Sequence, residues 1–389
     1  MIVSRMLSLI GPGVLGIALG LAQTASQTGQ PNPAPASTGP AQAPTPAAPA
    51  PAPVWTVGPI DFSGMVDAYY SVNFNHPVSR TNQLRNFDVN GSQFSLNMAM
   101  LTMAHAPDPV GFQMDFGFGR TFEIIHSGEQ APEIFRYLKQ AYVSLKPEQA
   151  KGFQVDFGKF VTSSGAEVIE TQSNWNYSRS LLFSWAIPYY HFGLRTSIPL
   201  NKYFTAGVQV VNGWNNVDDN NTGKTVGLTA AVTTSKVSWS NNYYFGPEKS
   251  NTNKGLRQLY DTTLLLTPNT KTGVYLNFDY GRDKNVGPGA SHWVGVAGAF
   301  RYSPVTWFAL TPRLEWFNDA NGFATGTAQK LKECTITGEF KMTQGLLARL
   351  EYRRDWSNQP FFDRGNTPGV YKNQDTLLLG VVAFFGPKR

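Results

Sequence analysis

Cysteine occurs once, as Cys334, in a chain of 389 residues. No intramolecular disulfide can form, so this chain, if exported, folds without a covalent staple. Cys334 itself reads as a small apolar residue. Charge is also scarce: Asp, Glu, Lys and Arg make up 15% of the chain, against about 25% in soluble domains. That shortage argues against a surface lying wholly in water. The net charge of +6 is spread out, with no Lys/Arg-rich run, so no nucleic-acid partner is expected. The five histidines, His76, His105, His126, His191 and His292, are scattered, and neither G-x-S-x-G nor H-E-x-x-H occurs. No catalytic residue is assigned, and an enzyme is not expected. His191 shares a strand face with Ser197 but lies six residues from it, and reads as a polar group of the interior. No metal or cofactor is expected either. VDDNNTGK, 217–224, offers oxygen ligands but lacks the Glu and the spacing of a calcium loop. Past residue 60, no apolar run approaches the eighteen or so residues of a membrane-spanning helix.

What the chain does have begins with a leader. Arg5 precedes an apolar stretch from Met6 to Leu21, and Gly20-Leu21-Ala22 places small residues at a cleavage site. Residues 1–22 are expected to be a signal peptide. Pro31 to Pro53 is a Pro/Ala tract with nothing to build a core from. Residues 23–58 therefore read as an extended periplasmic linker. Residues 59–389 form the remaining unit.

In that unit the dominant signal is dyad alternation. In GFQMDFGFG, 111–119, Phe112, Met114, Phe116 and Phe118 share one face and Gln113 and Asp115 the other. Such a strand suits a half-buried soluble sheet or a membrane barrel with a wet lumen. Sixteen segments follow this pattern: 60–75, 87–105, 110–125, 134–146, 152–167, 189–199, 203–214, 225–235, 237–247, 257–268, 272–283, 292–303, 306–318, 330–342, 345–356 and 374–385. Most exceed the five or six residues of a globular strand and reach the ten or so that cross a bilayer. Their connections decide the class. Those from even to odd segments are short, such as Leu200-Asn201-Lys202 and Ser303-Pro304. Those from odd to even are mostly long and polar: HPVSRTNQLRN, NNVDDNNTGK, GPEKSNTNKG, DANGFATGTAQ and SNQPFFDRGNTPGVYKN. Tight turns at one end and long loops at the other predict an all-β fold, an antiparallel transmembrane barrel of about sixteen strands. Aromatics near strand ends, such as Tyr69-Tyr70, Trp307-Phe308 and Phe384-Phe385, fit interface girdles or packing within a core.

Parity predicts the interior. Asp67, Asp115, Arg136, Asp156, Arg195, Asp261, Asp279, Arg301, Arg313, Glu315, Glu333, Glu339, Lys341, Arg349, Glu351 and Arg353 are expected to face inward. On the lipid face an Arg or Lys at mid-depth costs about 2–4 kcal/mol. Lys139 and Lys159 break the parity, and each is expected at the interface or after a bulge. Sixteen strands leave an aqueous channel, so the expected partners are outer-membrane lipids and small hydrophilic solutes or ions.

One family resemblance is specific. GFQVDFGKFVTSSGAEVIET, followed by NWNYSRSLLFSWAIPYYHFGLR, across 152–195, resembles the OmpL-like β-barrel porin family of bacterial outer membranes. The resemblance implies a porin channel in a diderm outer membrane and names no solute. The final strand, with aromatics near its end, resembles a signal for the barrel-assembly machinery, and a homotrimer is expected by analogy. The resemblance also gives a role to TQSNWNYSRSLLFSWAIP, 171–188, which breaks the alternation. In sixteen-stranded porins the third long loop, here 169–188, folds inward and narrows the channel. Trp175 and Tyr177 would then pack on the wall or within the loop. Glu167, Glu170, Asn174, Asn176 and Arg179 would face solute, with Arg179 and Glu170 at the narrowest level. A surface cap or a subunit contact is the alternative, as a non-conducting structural or adhesive barrel is for the whole.

Overall fold

The computed structural model describes residues 55–386. The expected signal peptide, most of the expected linker and the last three residues lie outside them. Sixteen antiparallel strands close into one barrel: β1 (Ile60–Asn73), β2 (Gln93–His105), β3 (Val110–Phe118), β4 (Leu138–Leu145), β5 (Gln154–Val161), β6 (Tyr190–Pro199), β7 (Phe204–Val211), β8 (Thr225–Thr233), β9 (Val237–Lys249), β10 (Thr252–Asn269), β11 (Thr272–Lys284), β12 (Ala290–Val305), β13 (Phe308–Asp319), β14 (Gln329–Thr343), β15 (Leu346–Ser357) and β16 (Asn373–Phe385). Each pairs with the next, and β16 pairs with β1 through registers such as Leu379↔Tyr70, which removes both sheet edges. Thr56–Val57, within the stretch expected as linker, turns back to pair with Ile60 and Asp61. The Trp55 ring lies 4.7 Å from that of Phe385, fastening the chain entry to the last strand.

The alternation has its expected physical cause. On β15, Arg349, Glu351 and Arg353 are buried inside while Leu350 is 48% exposed on the outside. Over most of the wall the outward positions are apolar, and closure leaves no strand edge whose hydrogen bonds lipid could not satisfy. Parity was broken at two lysines, for different reasons. Asp115 pairs with Gln140 and Phe116 with Leu138, so Lys139 is the extra residue of a bulge and turns inward. Lys159 follows Gly158, whose φ of +137° is a glycine conformation. It is buried beneath the second long loop, donating to His126 Nε2 at 2.9 Å.

Strand ends depart from expectation most in four places. Segment 87–105 begins at Gln93, because the first long loop folds over the barrel mouth. Segment 110–125 stops at Phe118, where Gly119 (φ +116°) turns the chain into helix α1 (Arg120–Ile125). Segment 152–167 stops at Val161, lengthening the third loop to 162–189. GPEKSNTNKG, expected as a loop, is largely strand: β9 and β10 continue into a hairpin turned at Ser250–Asn251, with Asn251 at φ +62°.

Candidate functional site

The loop 162–189 leaves β5, enters the barrel and returns to β6. Its second half contains a short helix, α2 (Leu181–Trp185), started by Ser180, whose Oγ accepts from Phe183 N at 2.9 Å. Pro188 follows the helix and prevents its continuation. Apolar side chains of the loop seat on inward-facing glycines of the wall. A Cβ on Gly380 would lie 2.3 Å from the Tyr177 ring, one on Gly273 2.8 Å from Trp175, and one on Gly295 2.7 Å from Leu182. Only glycine permits these approaches.

Wall charges then latch the loop backbone. Arg349 donates from Nη1 to the carbonyls of Thr171 (2.6 Å) and Asn176 (3.1 Å), and from Nη2 to that of Asn174. Its other face holds Glu339 at 2.7 Å. Arg313 donates to Ser178 O at 2.8 Å and pairs with Glu167 at 2.7 Å and Glu333 at 3.2 Å. Arg353 donates to Arg179 O at 2.6 Å. Carboxylates hold the loop's amides in return: Glu351 accepts from Tyr177 N (2.6 Å) and Ser178 N (2.9 Å), and Glu315 from Leu181 N (2.8 Å). Asp67 accepts from the Tyr177 hydroxyl at 2.7 Å. The loop's irregular backbone is held by these wall groups, and Arg313, Arg349, Arg353, Glu315 and Glu351 find partners on the loop in return.

This places the expected site residues. Arg179 lies inside the barrel but does not face open space. It is 2% exposed, stacks 4.6 Å from the Phe87 ring, and donates to Val168 O at 3.1 Å and Thr171 Oγ1 at 2.9 Å. Expected to face solute, it is a staple of the loop, because curled backbone carbonyls surround its guanidinium. Glu167, Asn174 and Asn176 are likewise buried. Asn174 caps Val168 O at 2.7 Å, and Asn176 donates to Thr337 Oγ1 at 2.7 Å. Tyr177 is fully buried, as expected of a packing residue. Of the five polar residues expected to face solute, only Glu170 keeps open surface, and it pairs with Lys139, which also holds Asp115 at 2.9 Å. Trp175 is half-buried, 5.3 Å from the Tyr275 ring.

On the wall, Asp67, Asp115, Asp156, Asp261, Asp279, Glu315, Glu333 and Glu339 are buried inside. Asp156 pairs with Arg195 at 2.7 Å, and Arg301 with Glu339 at 2.6 Å. Lys341 is exposed at the short-turn mouth. Arg136 is a correction: it lies in an exposed turn before β4 and not on a strand, because the strand begins only at Leu138. In the stretch considered for calcium, Asp219 pairs with Lys224. Sequence reasoning missed Arg85, which reaches from the first loop to Asp355 at 2.8 Å and Asp88 at 2.6 Å.

Two regions result. Toward the long-loop end, Leu84, Phe87, Leu182, Phe183, Trp293 and Phe317 pack together, each 5% exposed or less. Toward the short-turn end, the interior opens into spaces of about 490, 1000 and 560 Å³ that all touch the loop tip at Gln172, Ser173 or Trp175.

Solved structures share this architecture. An anion-selective porin from Comamonas acidovorans aligns with TM-score 0.58 and 11% identity over 84% of this chain and 99% of its own. OmpT of Vibrio cholerae aligns with TM-score 0.57 and 12% identity over 84% and 97%. The outer-membrane channel DcaP of Acinetobacter baumannii aligns with TM-score 0.57 and 10% identity over the same shares. At these identities the likeness is one of fold. No curated protein sequence matches the chain. A family model described as "Putative beta-barrel porin-2, OmpL-like" matches residues 59–385, and the chain belongs to that family of barrels of the Gram-negative outer membrane.

Proposed function

We propose that this porin-family barrel passes small hydrophilic solutes or ions by passive diffusion, with the loop 162–189 as its constriction. The supporting observation is the loop's seating: a segment inside a sixteen-stranded barrel, held by three buried arginines of the wall. A channel, rather than an enzyme, fits both family and fold. The constriction differs from the one expected at Arg179. The open face of the loop is Ser163, Val168, Glu170, Gln172 and Ser173, opposite the wall of β2–β8. The path runs between them, with Glu170, Lys139 and Asp115 at its charged waist.

By the barrel pattern, the short turns and both chain ends face the periplasm, with the Pro/Ala tract as a periplasmic linker behind a cleaved signal peptide. The outward apolar face meets lipid, and β16 engages the assembly machinery. A homotrimer fits the six consecutive strands β3–β8, only 8–10 residues long, which a second copy would cover. The Vibrio cholerae OmpT is recorded in a trimer form.

Liposome swelling tests the reading. Vesicles carrying the full chain swell in small sugars and resist large oligosaccharides if it holds, whereas no swelling in any solute overturns it. The apolar packing at the long-loop end favours a second reading, a non-conducting structural barrel, which that negative result would support.

A further inference from the structure

Among the described residues, charged side chains that point outward from the strands gather in one region. At the long-loop ends of β10–β15, outward positions carry Lys254, Arg282, Lys284, Lys330, Lys332 and Arg354. The densest part lies on β13–β15, where Lys332 is flanked in register by Trp316 on one side and Trp356 on the other. Together with Lys330, Ser357 and Asn358, these residues line a surface pocket of about 550 Å³. Arg354 stacks 5.0 Å from the Trp356 ring and reaches Asp375 at 3.4 Å, while its Nε has no hydrogen-bond partner. Lys330 and Lys332 are exposed and make no ion pair among the described residues.

Cations pointing outward from a membrane wall sit in an unfavourable place unless anions meet them at headgroup level. The tryptophans mark that level, since indoles prefer the boundary between headgroups and chains. The periplasmic placement of the short turns puts this end in the outer leaflet. We propose that Lys330, Lys332 and Arg354, framed by Trp316 and Trp356, bind the phosphate of an acylated, phosphorylated glycolipid of that leaflet. The two amines supply charge-assisted donors to the phosphate oxygens, and the Arg354 guanidinium beside Trp356 adds positive charge next to them. The indole faces accept the sugar and the first methylenes of the acyl chains. The site lies on the outside of the wall and is independent of whether the barrel conducts.

The test is titration of the full chain, folded in a non-ionic detergent, with lipid A as probe, read by native mass spectrometry. Its dephosphorylated form and inorganic phosphate serve as separate arms. Folding of each variant is checked by heat-modifiable migration on a gel. The K330Q/K332Q/R354Q variant is expected to bind lipid A at least about tenfold more weakly, whereas K254Q/K284Q on β10 and β11 changes binding less than about threefold. Equal binding by the triple variant, equal loss in K254Q/K284Q, or undiminished binding of the dephosphorylated lipid overturns the proposal. So does complete displacement by millimolar inorganic phosphate, which would make this a simple anion site.

Discussion

At the scale of single residues, the interior is a set of buried charges that loop backbone completes. Arg349 is the clearest case, because its loss removes one of the two arginines on Glu339 and strands three loop carbonyls at once. Arg349→Met is expected to cost about 3–5 kcal/mol, the range for breaking a buried pair from one side, measured by urea unfolding in detergent. Glu170 is different, because it borders open space. Glu170→Gln leaves Lys139 with Asp115 alone, so stability should change little while the reversal potential in a salt gradient moves toward anions. An unchanged reversal potential would remove Glu170 from the conduction path. His126 gives a pH dependence. Burial, then the charge of Lys159, lowers its pKa to about 3. Its neutral ring donates from Nδ1 to Phe122 O at 2.8 Å and accepts from Lys159 at Nε2. The unfolded chain takes up this proton near pH 6.5 and the folded one does not, so His126 contributes stability above pH 6.5. That stability is lost as pH falls toward 3, by at most about 1.4 kcal/mol per unit. Acid titration of wild type against His126→Gln checks it, the variant lacking this component. The inward charges were legible from parity because a lipid-facing charge is costly. The role of Arg179 was not, since its partners are mainly backbone carbonyls, which leave no signature in a sequence.

At the scale of elements, loop and wall fit through missing side chains. Gly380→Val puts branched methyls where Tyr177 seats. It should unseat the ring, break its bond to Asp67 and loosen the loop, at an overpacking cost of about 1–3 kcal/mol. Single-channel recording should then show larger or noisier currents than wild type; unchanged currents would mean that the seating does not control passage. Glycines 273, 295 and 380 can be read in the sequence, but only the loop's position gives them meaning. The sixteen strands were legible because lipid on one side enforces strict alternation. The hairpin at 246–255 read as a loop because, beyond the membrane, both of its faces meet water and the constraint lapses. The segment 120–125 read as strand because TFEII is apolar, and only the turn at Gly119 redirects it.

At the scale of the whole molecule, a barrel of sixteen strands is wide enough to hold water, and the loop and the packed long-loop end decide how much remains. Family and fold place the chain among outer-membrane porins; on the function proposed above, the inner loop would narrow the passage and Glu170 and Lys139 would form its waist. The most direct measurement is single-channel conductance of the purified, folded full chain in a planar bilayer. The account predicts small, discrete steps in wild type that grow in Gly380→Val. Complete absence of conductance in both would contradict it.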